Sequence, residues 1–254
     1  MISSFQAQLL FPTGMVARAG PLPDGAEQVS ITSADGEALR GIHIAPDASD
    51  RSGVLVIGFG GNAWNGSDVA AFLHELYPDA DVIAFHYRGY APSQGEPSSK
   101  ALMADAPLVY DFAVGRVKPK RTIAVGMSIG SGVAASLSAK RHLDGLILVT
   151  PFDSLEASVG DLYPWLPVSL IFQHEINSAE FLKGSHVPVA IVAAEDDTLI
   201  RPARTAGLRK QVPYLVFDRT IPDAGHNDIY QRAEFRQAMH DAFDALNISK
   251  STQK

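Results

Sequence analysis

Ser128 stands between two glycines in "GMSIG" (126–130), after the apolar run "TIAV" and before the alanine-rich "SGVAASLSA". A serine on a sharp strand-to-helix turn has its Oγ lifted clear of the sheet. The next amide, that of Ile129, then opens a helix and points where an oxyanion would form. The glycines have a steric task, since side chains at Gly126 and Gly130 would collide with the neighbouring strand and helix. Serine is a weak nucleophile at neutral pH, so this chemistry needs a base. Histidine titrates near neutrality and is the usual one; the chain has eight. His43 and His86 sit in strand-like runs, and His74, His142 and His240 on helical patterns. His174 and His186 flank an irregular stretch. His226 differs, because "IPDAGHNDIY" is a loop between the last apolar run and the last helical pattern. It is the candidate base.

A base of this kind needs a carboxylate to fix its tautomer and to stabilise the imidazolium. "VPVAIVAAEDDTLIRP" offers Glu195, Asp196 and Asp197 just past an apolar run, and Asp153 follows another in "TPFDSLE". Adjacent residues on an extended chain point oppositely, so Asp196 and Asp197 are true alternatives. Asp153 or Ser154 also suits the N-cap of a following helix. Asp223 and Asp228 lie too close to His226 in sequence to be favoured. A second oxyanion donor is expected from "GFGGNAWNG", the loop after the run at 53–59, where Asn62 N–H is the candidate. Together these groups would perform acyl transfer.

Positioning them requires a series of strands with their carboxyl ends at one edge. "EQVSIT", "SADG" and "ALRGIHIAP" read as a hairpin. Apolar runs follow at 53–59, 81–87, 122–126, 143–150, 187–194 and 214–221, alternating with helical patterns near 66–77, 99–115, 129–141, 201–211 and 229–246. Near-continuous apolar strands between helices predict an α/β fold: a mostly parallel sheet with helices on both faces. Pro107 is expected to kink or shorten the second helix. Residues 154–183 hold no convincing strand and predict a small helical cap over the carboxyl edge, where α/β ligands bind. The whole chain, 1–254, then reads as one domain with that insertion.

Composition narrows the function classes. The chain is 46% hydrophobic and 19% charged, as in ordinary globular proteins. A net charge of −7 argues against a nucleic-acid partner. The absence of cysteine excludes disulfides, thiolate metal sites and a cysteine nucleophile. No run approaches the roughly 18 apolar residues of a membrane span, and the amino terminus does not read as a signal peptide. A cytoplasmic location is the default, with Phe5, Leu9, Leu10 and Phe11 packing against the domain. Nothing in the sequence sets an oligomeric state.

Four stretches taken together carry a family resemblance: "GGNAWN" (60–65), "HYRGYAPSQGEPS" (86–98), "GMSIGSG" (126–132), and "EDDTLIRP" (195–202) followed by "AGHND" (224–228). In these the chain resembles the α/β-hydrolase superfamily, and more narrowly compact serine hydrolases of the ABHD-like group with an HGNAGN-type oxyanion loop. The resemblance spans about residues 25–245. It implies an α/β-hydrolase fold, the nucleophile–acid–base order Ser128, Asp197, His226, and oxyanion amides at Asn62 and Ile129. Asp197 matches the family acid because "TLI" and then Pro202 follow it. The sequence departs from the group at Gly60, where histidine is common, and at Trp64, where glycine is; the latter puts a large ring near the expected site mouth. Tyr163, Trp165, Leu166, Leu170 and Phe172 of the cap, with Trp64, would form an apolar substrate pocket. The implied activity is hydrolysis of a small-molecule carboxylic ester or thioester, with no metal and no organic cofactor. The alternatives are a serine peptidase or amidase, and a non-catalytic hydrolase-fold binding protein.

Overall fold

The computed structural model describes residues 6, 8, 10–46 and 52–248. Eight strands form a mostly parallel sheet in the order β1-β2-β4-β3-β5-β6-β7-β8. By contacts the chain gathers into two units, Met1–Ala124 and Val125–Lys254.

In the first unit, β1 (Glu27–Thr32) and β2 (Ala38–Ile44) form the expected antiparallel hairpin. Its turn is held by Ser33, whose Oγ accepts from Glu37 N at 2.9 Å and donates to Asp35 at 2.6 Å. Strand β2 also runs antiparallel to β4 (Asp81–Phe85), which is parallel to β3 (Val54–Phe59). Every residue of β3 and β4 is buried, which is why both read as unbroken apolar runs rather than alternating ones. Helix α1 (Gly66–Leu76) connects them, with Asn65 capping its start by accepting from Asp68 N at 2.8 Å.

Helix α2 (Ser99–Val117) is 19 residues long with Pro107 inside it, so the proline does not shorten it. An interior proline costs about 3 kcal/mol. Here Ser98 caps the start, and Leu102, Ala106, Val109 and Ala113 are buried. Asp105 on the same helix holds the Arg88 guanidinium by two bonds of 2.6 and 2.7 Å. Tertiary contacts therefore outweigh the missing amide. Of the amino-terminal apolar residues, Phe11 is buried and Leu10 half-buried, while Phe5 and Leu9 lie outside the described residues.

Strand β5 (Arg121–Met127) leads into the second unit, where α3 (Ile129–Ser138) follows it. Then come β6 (Gly145–Val149), β7 (Val189–Ala194) and β8 (Leu215–Ile221), parallel in that order. Strands β6 and β7 are wholly buried; β8, at the sheet edge, is half-exposed and carries Asp218 and Arg219, charges that deter further strand pairing. Between β6 and β7 lie three short helices, α4 (Leu155–Leu162), α5 (Val168–Ile171) and α6 (Ser178–Leu182). A lone bridge between Ser154 and Asn177 closes the base of this insertion. Helix α7 (Pro202–Arg209) follows β7, and α8 (Ala233–Ile248) packs on β6, β7 and β8.

Candidate active site

Ser128 has φ 53° and ψ −120°, a conformation L-residues rarely adopt. Strain of this kind costs about 1–3 kcal/mol and survives only where the surroundings impose it. Ser128 N–H donates to Val149 O at 2.9 Å, and its carbonyl accepts from Ser131 N and Oγ at 2.9 and 2.6 Å. A Cβ on Gly126 would come within 2.4 Å of Gly130 O and 2.7 Å of Ser131 Cα. Only glycine lets the end of β5 approach the first turn of α3 so closely.

His226 Nε2 lies 2.9 Å from Ser128 Oγ, and its Nδ1 lies 2.7 Å from Asp197 Oδ2. A carboxylate can only accept, so Nδ1 carries the proton and Nε2 presents its lone pair to the serine hydroxyl. The other Asp197 oxygen accepts from the amides of Leu199 and Ile200 at 2.9 and 2.7 Å. His226 is 9% exposed and Asp197 4%, whereas Ser128 is half-buried. The remaining carboxylates are engaged elsewhere. Glu195 and Asp196 are exposed; Asp196 N–H bonds Ala224 O at 2.9 Å, and Glu195 accepts from Asp223 N at 3.2 Å. Asp228 Oδ1 accepts from Gly225 N at 2.8 Å, and its other oxygen takes the Arg232 guanidinium, which holds the Asp228 carboxyl below its ordinary range. Thus the histidine loop is clasped from both sides. Asp153 accepts from Ser154 N at 2.8 Å and faces Arg204 at 3.5 Å, while Ser154 is the N-cap of α4.

Another Ser–His contact, in the first unit, differs in its proton placement. Ser67 Oγ is 3.1 Å from His86 Nε2, but Gly66 N–H donates to His86 Nδ1 at 3.2 Å. The ring's proton must then sit on Nε2 and be given to Ser67, so His86 cannot take a proton from that serine. Burial pushes this imidazole down to about 4.

In the loop at 60–65, Asn62 is exposed, and among the described residues neither Asn62 N–H nor Ile129 N–H has a hydrogen-bond partner. Trp64 is half-buried, with its ring 5.3 Å from that of Phe72 on α1. In the cap, Trp165 is 77% and Leu170 84% exposed. Tyr163, also exposed, meets Trp165 edge to face at 6.3 Å; Leu166 and Phe172 are half-buried.

Residue patterns did not flag Tyr230, Thr150, Tyr87 or Tyr90. Tyr230, just past the histidine loop, is buried, and burial with the nearby Asp197 charge pushes its phenol well up. Thr150, at the end of β6, has φ 45°, unusual for a β-branched residue. The tyrosines of "HYRGY" were visible as aromatics after a strand, but not their partners. Among the described residues, no group of three His, Asp or Glu is arranged for a metal, and no helix is long and apolar enough to cross a membrane.

A serine on a strained strand-to-helix turn, with an acid and then a histidine delivered from later strand ends, defines the α/β-hydrolase class on this sheet. The Pyrococcus furiosus esterase Pf2001 shares the fold: TM-score 0.71, 19% identity, 89% of this chain and 94% of that one. No protein-family model matches the chain. The chain belongs to the α/β-hydrolase superfamily and, within it, to the family of the uncharacterized protein Rv2307c of Mycobacterium tuberculosis, with 34% identity over 83% of this chain and 78% of that one. Lysophosphatidylserine lipase ABHD12 of Danio rerio is 31% identical over 137 residues, 47% of this chain and 36% of that protein.

Proposed function

We propose that the chain is a serine hydrolase that cleaves carboxylic esters or thioesters through an acyl-enzyme. The observation that carries this reading is the hydrogen-bonded series Ser128–His226–Asp197, at 2.9 and 2.7 Å. Ser128 Oγ attacks the acyl carbonyl as His226 Nε2 takes its proton, and Asp197 stabilises the imidazolium. The tetrahedral oxyanion is held by the amide of Ile129 at the start of α3, a donor worth about 3 kcal/mol in such sites. His226 then protonates the departing alcohol or thiol. Water, giving its proton to the same nitrogen, releases the acid and restores Ser128. An esterase among the structural neighbours and a lipase among the relatives favour esters over amides as substrates. The exposed apolar residues of the cap, Tyr163, Trp165 and Leu170, suit an apolar acyl chain.

The test compares wild type with Ser128→Ala using a fluorophosphonate probe and a p-nitrophenyl acyl ester. Labelling and turnover should both vanish in the variant. Equal labelling of the two proteins would remove Ser128 as nucleophile. Turnover of a matched amide at the ester's rate would redirect the reading to a peptidase.

A further inference from the structure

We infer that, under the acyl-enzyme reading above, Asp228 and Arg232 are positioning residues: they close a clasp across the loop 223–228 and hold the His226 imidazole in line between Asp197 and Ser128. All of these groups belong to the second unit.

The histidine needs a hold that the reaction does not consume. Of its two side-chain bonds, the one from Ser128 Oγ disappears when that oxygen becomes the ester oxygen of the acyl-enzyme. Asp197 then grips the imidazole through Nδ1 alone, while Nε2 must still meet the incoming water. Through that half of the cycle the place of Nε2 depends on the backbone that carries the ring.

That backbone is tied on both sides of His226. Asp228 Oδ1 accepts from Gly225 N–H at 2.8 Å, so the carboxylate reaches back across the histidine to the residue before it. Gly225 permits the approach, since a Cβ there would lie 2.8 Å from the same oxygen. Asp228 Oδ2 takes Arg232 Nη2 at 2.6 Å and Nε at 3.1 Å. The same Nη2 donates to Asp223 O at 2.6 Å, at the other end of the loop, where Asp223 turns the chain with φ 51°. One guanidinium thus joins the loop's first and last residues. Arg232 stands at the root of α8, whose Phe235, Ala238, Met239 and Ala242 are buried in the core, so the clasp ties the loop to a fixed element. The Arg232 contact, then the Gly225 amide, hold the Asp228 carboxyl below its ordinary range, and both its oxygens accept throughout the range in which a hydrolase is assayed.

The exposure of the pair separates positioning from stability. The Arg232 and Asp228 side chains are 41% and 46% exposed, and ion pairs so exposed add little to global stability. What this pair supplies is geometry.

The experiment compares wild type, Asp228→Asn, Arg232→Gln and the double variant. It measures kcat and KM on a p-nitrophenyl ester, thermal unfolding, and the far-downfield proton resonance of His226 Nδ1–H, which reports the bond to Asp197. Asp228→Asn leaves an oxygen for Gly225 N–H and turns an NH2 on the guanidinium, donor against donor. Arg232→Gln frees Asp223 and Asp228 together. Misplacing a catalytic group by about 1 Å can cost about 100-fold, so a slackened loop should lower kcat about ten-fold and leave KM within about two-fold. The resonance should broaden or vanish in both single variants, with unfolding midpoints near that of wild type. Because the two residues act as one unit, the double variant should be no slower than the slower single. Arg219→Gln is the control: it breaks a similarly exposed pair with Asp241 in the same unit and should move neither kcat nor the resonance. Single variants that keep wild-type kcat overturn the inference, as does a fall in kcat with the resonance intact, or one that Arg219→Gln reproduces. If Arg232→Gln does not fold, Asp228→Asn, which keeps the side chain's shape, decides alone. Ester turnover that persists in Ser128→Ala overturns the acyl-enzyme reading and this inference with it. A dead Ser128→Ala beside unmoved kcat in the clasp variants overturns only the clasp.

Discussion

Replacing Asp197 with asparagine changes one atom, and the local bonds fix what that atom does. Asp197 Oδ1 accepts two amides, from Leu199 and Ile200, at 2.9 and 2.7 Å. An asparagine keeps both bonds only if its carbonyl oxygen takes this position, because its NH2 would otherwise face two N–H donors. Reversing it would forfeit both bonds, each worth about 1 kcal/mol, and would leave donors unpaired at a further 1–3 kcal/mol apiece. The NH2 is therefore directed at His226 Nδ1, where Asp197 Oδ2 now stands at 2.7 Å. Two donors cannot share that contact, so Nδ1 gives up its hydrogen and the ring proton moves to Nε2. Nε2 then cannot accept the Ser128 proton. Triad variants of this kind lose about 10⁴ in kcat, equivalent to about 5.5 kcal/mol of transition-state stabilisation. The assay is kcat/KM on a p-nitrophenyl ester at pH 7.5, with thermal unfolding to verify folding. Asp196→Asn is the control: its side chain is exposed and only its backbone amide is engaged, so it should stay within about two-fold. The reasoning fails if Asp197→Asn retains a tenth of wild-type kcat/KM, or if Asp196→Asn is the inactive variant.

Two further outcomes follow from strain and burial. Ser128→Gly relieves the φ of 53° that Ser128→Ala retains, so the glycine variant should be the more stable of the two inactive proteins by about 1 kcal/mol in urea unfolding; equal midpoints would refute the strain. The His86 imidazole is held down to about 4 by burial, whereas in the unfolded chain it titrates near 6.5. As pH falls through that interval only the unfolded state takes up this proton, so stability present above pH 6.5 is lost, by about 2–3 kcal/mol near pH 4. Urea unfolding of His86→Gln across the same interval should show a shallower loss, and a slope identical to wild type would refute it.

What the sequence made legible was whatever depends on local pattern or chain order. The buried strands β3, β4, β6 and β7 announce themselves as unbroken apolar runs, and the GMSIG turn lies where one such run meets a helix. The acid was less accessible, because Glu195, Asp196, Asp197 and Asp153 all follow strands. Their difference lies in which side chain turns inward to His226, and only Asp197 also receives the amides of Leu199 and Ile200. Pro107 misled because its local cost is visible and the Arg88–Asp105 pair that offsets it is not. The bond from the Tyr90 hydroxyl to Asn62 Oδ1 was hidden for a related reason: the two residues are 28 apart in sequence, and the fold brings them together. Backbone strain at Ala63 and Thr150 leaves no trace in residue type, whereas at Ser128 the flanking glycines signal it.

That strain at Ser128 has an evolutionary reading. The nucleophile of the proposed reaction occupies a position where the backbone would favour glycine, so under that proposal selection for turnover and selection for stability oppose each other at one codon. A descendant of this chain released from catalytic duty would find its stabilising mutation at position 128. Among relatives that keep this sheet, a glycine there would mark those whose work has passed from turnover to binding.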